Sequence, residues 1–203
     1  QTKNVFNTKL SNLVASLPDK IEATVQPSQT IKIASLDFDY DIFCSVLEKI
    51  KARFDQVKEY FDEREDHKSN DENDTTQNRF IKSVHCTFAH SSQVTQSEMM
   101  TLFNHLLGIN AEAKATALLY SDKIAAIQVE VPEVVTSDRA QHRIPMPRNE
   151  FPHVTIWCGQ DVEAKESNEL PALVEDNIAK KILFDDAIPL IGSFSFWYEQ
   201  INV

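Results

Sequence analysis

Two tetrapeptides in this chain share one pattern: His85-Cys86-Thr87-Phe88 and His153-Val154-Thr155-Ile156, each a histidine, a variable residue, a threonine and an apolar residue. Side chains alternate faces along a β-strand, so His85 and Thr87 point one way together, as do His153 and Thr155. Imidazole exchanges a proton near neutral pH, and a hydroxyl donates a hydrogen bond to an oxyanion. Two such pairs facing one cleft can grip a phosphodiester while one imidazole takes a proton and the other gives one. A single strand histidine is most often structural, and threonine is common in strands through β-propensity. The duplication carries the information.

Both motifs need strands, and the pattern around them supplies candidates. Thr30 to Leu36 alternates as a strand, with Asp41 as the expected cap of the next helix. Ile42, Phe43, Val46, Leu47, Ile50, Phe54, Val57 and Phe61 then form one apolar stripe at spacings of three and four, which predicts a single long helix. Phe80 onward carries the first motif. A helix comes next through Met99, Met100, Leu102, Phe103, Leu106 and Leu107, closed by Gly108. Ala113 to Tyr120 and Ile124 to Val131 read as a hairpin about Ser121-Asp122-Lys123. A loop over Pro132 to Glu150 leads to the second motif strand, Phe151 to Cys158. Leu173 to Leu183 reads as a helix and Ile188 to Val203 as a long last strand. An N-terminal helix is expected over Phe6 to Leu17, stopped at Pro18. The order predicts an α+β fold, helices packed on two mostly antiparallel sheets, with the two motif strands pointing to two lobes.

The 203 residues and 42% hydrophobic content suit one domain with a substantial core. No apolar run reaches the roughly 20 residues that span a bilayer, and Gln1 to Lys9 is too polar for a secretory signal, so a soluble, cytoplasmic or nuclear protein is expected. Cys44, Cys86 and Cys158 are odd in number and set among apolar residues, as buried thiols in a reducing compartment would be. A first residue of Gln1 fits a piece excised from a larger polypeptide. The formal charge of −11 disfavours a broad nucleic-acid-coating surface but leaves room for a small phosphate pocket. Much of the acidity lies in residues 63–78, read as a mobile loop that holds His67.

A local basic excess precedes the second motif: Arg139, His142, Arg143 and Arg148. Arginine suits bidentate phosphate contact, although a solvated loop fits equally well. Trp157 continues the His153 and Thr155 face by simple alternation, where it could stack on a base or fill the core. His90 lies five residues after His85, hence on the other face of an unbroken strand, and it is left out of the site with His105. His85, Cys86, His153 and Cys158 are metal-ligand types, but Cys86 alternates away from His85 and no finger spacing is present. No metal and no cofactor is expected.

Paired His-x-Thr-apolar motifs separated by tens of residues resemble those of the 2H phosphoesterase superfamily. Phe151-Pro152-His153-Val154-Thr155-Ile156 after a basic loop, and the long acidic-tailed helix before His85, look most like the carboxy-terminal cyclic phosphodiesterase domain of fungal tRNA ligases. That resemblance implies a bilobed fold over residues 1–203 with a central cleft. It also implies metal-independent hydrolysis of an RNA 2′,3′-cyclic phosphate to a 2′-phosphate and a 3′-hydroxyl. By the same analogy His153 is the general base and His85 the general acid, with Thr87 and Thr155 as donors to the phosphate oxygens. The partners it implies are an RNA with a cyclic phosphate end, such as a tRNA exon, and covalently linked kinase and ligase domains. The alternatives are a module that binds RNA ends or nucleotides without turnover, and a related enzyme acting on small cyclic nucleotides.

Overall fold

The computed structural model describes residues 30–65 and 79–199. The expected helix over Phe6 to Leu17, residues 66–78 of the expected acidic loop with His67, and the chain beyond Glu199 lie outside the described residues, while Glu63 to Glu65, expected in that loop, are helical. Strand β1 (Ile31–Phe38) is followed by helices α1 (Tyr40–Arg53) and α2 (Asp55–Glu65), then by β2 (Arg79–Phe80), β3 (His85–His90) and α3 (Gln96–Phe103). The remainder is β4 (Asn110–Tyr120), β5 (Ile124–Glu130), β6 (Val134–Ser137), β7 (Ala140–Arg143), β8 (His153–Cys158), α4 (Leu170–Glu175) and β9 (Lys180–Tyr198).

The single long helix expected from the apolar stripe is two helices. Phe54 adopts an extended conformation (φ −129°, ψ 101°) between them, and its ring packs on Phe184 with centroids 5.4 Å apart. Its N–H still bonds the Ile50 carbonyl, and its own carbonyl accepts from Val57, so the break costs little backbone pairing. The cap of α1 is Asp39, whose carboxylate accepts from the Ile42 N–H, rather than Asp41. Helix α3 opens on a reciprocal capping box between Thr95 and Glu98. It tightens into a 3-10 turn over Asn104–Leu106, and Gly108 ends the segment at φ 75°.

The helix expected over Leu173 to Leu183 is also corrected. Helix α4 ends at Glu175, Asn177 takes a left-handed conformation (φ 59°), and Lys180 to Leu183 are already strand, paired with Tyr120 to Ala117. Residues 132–150 are not a plain loop either. They contain the β6–β7 hairpin, a separate two-stranded sheet turning through Asp138 and Arg139, both at positive φ.

Six strands close on themselves, each antiparallel to its neighbours, in the order β8-β3-β1-β9-β4-β5 and back to β8, with β2 beside the end of β8. The α+β class and the antiparallel pairing therefore hold. The two expected sheets are unequal, one seven-stranded and closed, the other the small hairpin. The larger core runs between this ring and α1, α2 and α3 and includes Phe61, Phe88, Leu36 and Met99, each essentially inaccessible. Each such side chain contributes about 1.5–3 kcal/mol by leaving water. A smaller core around Leu119, Phe151 and Leu170 lies under residues 164–175. Strand β9 bridges β4 and β1, and at Gly192 it approaches β1 so closely that an added Cβ would sit 2.8 Å from the Asp37 carbonyl. Cys86 and Cys158 are buried and Cys44 half-buried, and none of the three is in a disulfide. Among the described residues no helix is long and apolar enough to cross a membrane.

Candidate active site

The two motif strands lie side by side, joined through the Cys86–Val154 register pair. Continuing that antiparallel register sets His85 beside Thr155 and Thr87 beside His153, an arrangement with local two-fold character. All four line one cleft of about 1260 Å³. Cys86 and Val154, between them in sequence, are fully buried on the opposite face.

Each strand carries a β-bulge at the fourth residue of its motif. Ser35 pairs with Thr87 but Ala34 with Ala89, so Phe88 is the extra residue; Ala126 pairs with Thr155 but Ala125 with Trp157, so Ile156 is. A bulge resets which residues share a face. Two consecutive residues are buried in each case, Phe88 with Ala89 and Ile156 with Trp157.

This corrects two expectations. Trp157 does not continue the cleft face: it is 3% exposed, edge-on to Tyr60 with centroids 6.0 Å apart and 4.9 Å from the Arg64 guanidinium. His90 does not turn away: it lines the cleft with His85 and Thr87. Of the arginines, Arg148 lines the cleft, its N–H bonded to the Phe88 carbonyl at the bulge (2.8 Å). Arg139 and Arg143 lie on the β6–β7 hairpin, outside the cleft lining. His105 stacks loosely on His142 beside that hairpin.

Both motif imidazoles are held the same way. His85 Nδ1 donates to the Ser83 carbonyl (2.8 Å) and His153 Nδ1 to the Phe151 carbonyl (2.6 Å), in each case two residues back. The neutral tautomer thus fixed leaves Nε2 as the acceptor. Their remaining surroundings differ. His153 stacks on Phe151 (4.7 Å, 14°), and its Nε2 is 2.7 Å from Ser167 Oγ. Burial, which outweighs the raising effect of the Phe151 carbonyl, holds its proton affinity below the ordinary histidine value, and His85 nearby lowers it further.

Ser167 is fully buried on a 3-10 turn over Ala164–Glu169, and its hydroxyl also lies 2.6 Å from the Ala164 carbonyl and 2.8 Å from Thr155 Oγ1. It serves both protonation states. To a neutral His153 it donates at Nε2; to a protonated one it accepts, and its own proton turns to the Ala164 carbonyl. On the other side, His85 packs on the Trp197 ring (4.3 Å between centroids). The Trp197 indole N–H donates to both Asp37 carboxylate oxygens (3.1 and 3.0 Å), and Ser35 (2.6 Å) and Ser195 also donate to that carboxylate.

Sequence reasoning passes over Ser167, His90, Asp37 and Trp197. Alternation of Ser35 with Asp37, and of Ser195 with Trp197, is visible as a polar face on two strands. Ser167 leaves no comparable signal, since a turn brings it to His153 across 14 residues.

No family model matches the chain. Over 117 residues, 58% of its length, it is 29% identical to tRNA ligase 1 of Arabidopsis thaliana, of which that region is 10%. A crystal structure of a fungal RNA kinase superposes with a TM-score of 0.56 at 16% identity, covering 96% of this chain and 53% of the other. The chain thus shares a fold with part of the fungal RNA kinase structure and sequence with a small part of the plant tRNA ligase.

Proposed function

We propose that this chain is an RNA-end-processing enzyme that hydrolyses 2′,3′-cyclic phosphate ends to a 2′-phosphate and a 3′-hydroxyl, as in tRNA-splicing end healing. The observation that carries the reading is one cleft holding two His-x-Thr pairs, each imidazole tied through Nδ1–H to a carbonyl so that Nε2 is the working nitrogen. Sequence similarity to a tRNA ligase supports RNA as the substrate class, and the two His-x-Thr pairs alone carry the reading as a 2H-type phosphoesterase.

The cyclic diester is strained, and in-line attack needs a base on the water side and an acid at the leaving oxygen. His153, kept neutral by burial, is the base: water takes the place of Ser167 at Nε2, gives up a proton and forms the new P–O bond. His85 enters the step as the imidazolium, Nδ1–H held on the Ser83 carbonyl, and its Nε2–H delivers a proton to the departing 3′ oxygen as the 3′ P–O bond breaks. Thr87 and Thr155 donate to the nonbridging oxygens where negative charge accumulates. The two imidazoles complete the proton balance without any further group.

The test is incubation, in EDTA, with an RNA ending in a 2′,3′-cyclic phosphate, followed by identification of the terminus. A 2′-phosphate supports the proposal. A 3′-phosphate would keep the two-histidine chemistry and reject the bond assignment, and tight binding without product would make the chain a reader of RNA ends.

A further inference from the structure

His90 differs from the two motif histidines in the atom it offers. The Ser92 backbone N–H points at His90 Nδ1 (3.1 Å) and Ser92 Oγ lies 2.8 Å from the same nitrogen. A backbone N–H only donates, so Nδ1 is the acceptor and the ring proton sits on Nε2. His85 and His153 carry theirs on Nδ1. Among the described residues His90 Nε2 has no hydrogen-bond partner. The backbone under the ring is held as well: the His90 backbone N–H donates to Gln93 Oε1 (3.2 Å), and the His90 carbonyl accepts from the Gln93 and Val94 N–H groups. A neutral imidazole fixed in this tautomer is a hydrogen-bond donor to the cleft and no base.

Its position completes the argument. The bulge at Phe88 brings His90 onto the cleft face three residues beyond Thr87, roughly 10 Å along the strand. That is too far to share the oxygens held by Thr87 and on the scale of one nucleotide. Arg148, anchored at the Phe88 carbonyl, lines the cleft at the same end. The matching position in the second motif strand is Cys158, which is fully buried, so the imidazole of His90 has no counterpart on that strand.

We propose that His90, with Arg148, forms a second phosphate subsite that takes the internucleotide phosphodiester on the 5′ side of the terminal nucleotide. This rests on the reading of the cleft as the seat of an RNA end. It makes the substrate an oligonucleotide rather than a free cyclic nucleotide, because the latter has no group to reach the subsite.

The experiment compares kcat/KM for a nucleoside 2′,3′-cyclic phosphate and for an oligoribonucleotide with the same cyclic end, using the whole chain. Wild type is expected to prefer the oligonucleotide, and His90→Ala to narrow that ratio about tenfold, the effect of one hydrogen bond to a charged group. His90→Gln, whose amide keeps a donor, should recover part of the ratio. Equal losses on both substrates, or an unaltered ratio in His90→Ala, would overturn the subsite. Should the wild type hydrolyse neither substrate, the proposed activity fails separately. The subsite is then read from affinity for the fluorescently labelled oligonucleotide: about tenfold weaker binding by His90→Ala supports it, and equal affinity overturns it.

Discussion

Strands β3 and β8 carry the same device in different settings. Both present His and Thr on one face, bulge at the next residue and tie Nδ1 to a carbonyl two positions back. Beyond the bulge they part: Ala89 and His90 in one, Trp157 and Cys158 in the other. Their neighbours part as well, Trp197 and Asp37 beside His85 against Phe151 and Ser167 around His153. A duplicated backbone motif thus fixes where two imidazoles sit, and residues from outside the strands set how each behaves. The same chemical pair thus sits in two different environments, the condition under which equal side chains can differ in behaviour.

The sharpest way to break that comparison is to remove either imidazole. His153→Ala and His85→Ala should each lower kcat on a cyclic-phosphate RNA by about 10²–10⁴, the range for a lost general acid or base. Full activity in either variant sinks the two-histidine mechanism. The positions just past the bulges give the next largest effect, on stability. Trp157→Ala should cost about 3–5 kcal/mol in denaturant unfolding, the usual loss for a large buried aromatic, whereas its counterpart is already alanine at Ala89. A shift under about 1 kcal/mol would mean that Trp157 does not fill the core.

Thr87→Ala and Thr155→Ala should each reduce kcat by about 10²–10³ with a smaller effect on KM, as expected for donors to transition-state charge. Ser167→Ala, which touches only the His153 half, removes the partner that positions Thr155 Oγ1 and should lower kcat about tenfold, the scale of one hydrogen bond. Under the proposed mechanism, the acidic limb of the wild-type kcat profile is expected to be that of His153. Burial depresses its proton affinity, so it stays neutral, and activity persists, down to a pH below the ordinary histidine value of about 6.5. An acidic limb above that value would remove His153 from the base role. The smallest effect is expected at Arg143→Ala on the exposed hairpin, with stability unchanged within about 0.5 kcal/mol and hydrolysis near wild type. A large loss of activity there would extend the functional surface beyond the cleft.

Local periodicity sets how far the sequence is legible. His85 with Thr87, and His153 with Thr155, precede the bulges, so period-two alternation holds through them. Trp157 and His90 lie past the bulges, and alternation assigns each to the wrong face by the same one-residue shift. The apolar stripe from Phe43 to Phe61 survives the break at Phe54 because both helices pack on the same core, so its spacing carries no trace of the break; Ile42, at its head, is exposed. Ile182, Leu183 and Phe184 are as apolar as a helix face would be, and only the left-handed Asn177 and pairing with β4 make them strand. Tertiary contacts over long separations, such as Trp197 with Asp37, have no local signature.

Ring closure has a consequence for how the chain is made. Strand β1, first among those described, pairs with β9, the last, which also joins β1 to β4. On a ribosome, β1 and β3 must wait for residues up to Tyr198 before their sheet is complete, and such distant pairings form slowly. The two halves of the cleft cannot mature one after the other, and a nascent chain stopped before Lys180 would hold both motifs with no closed ring to support them.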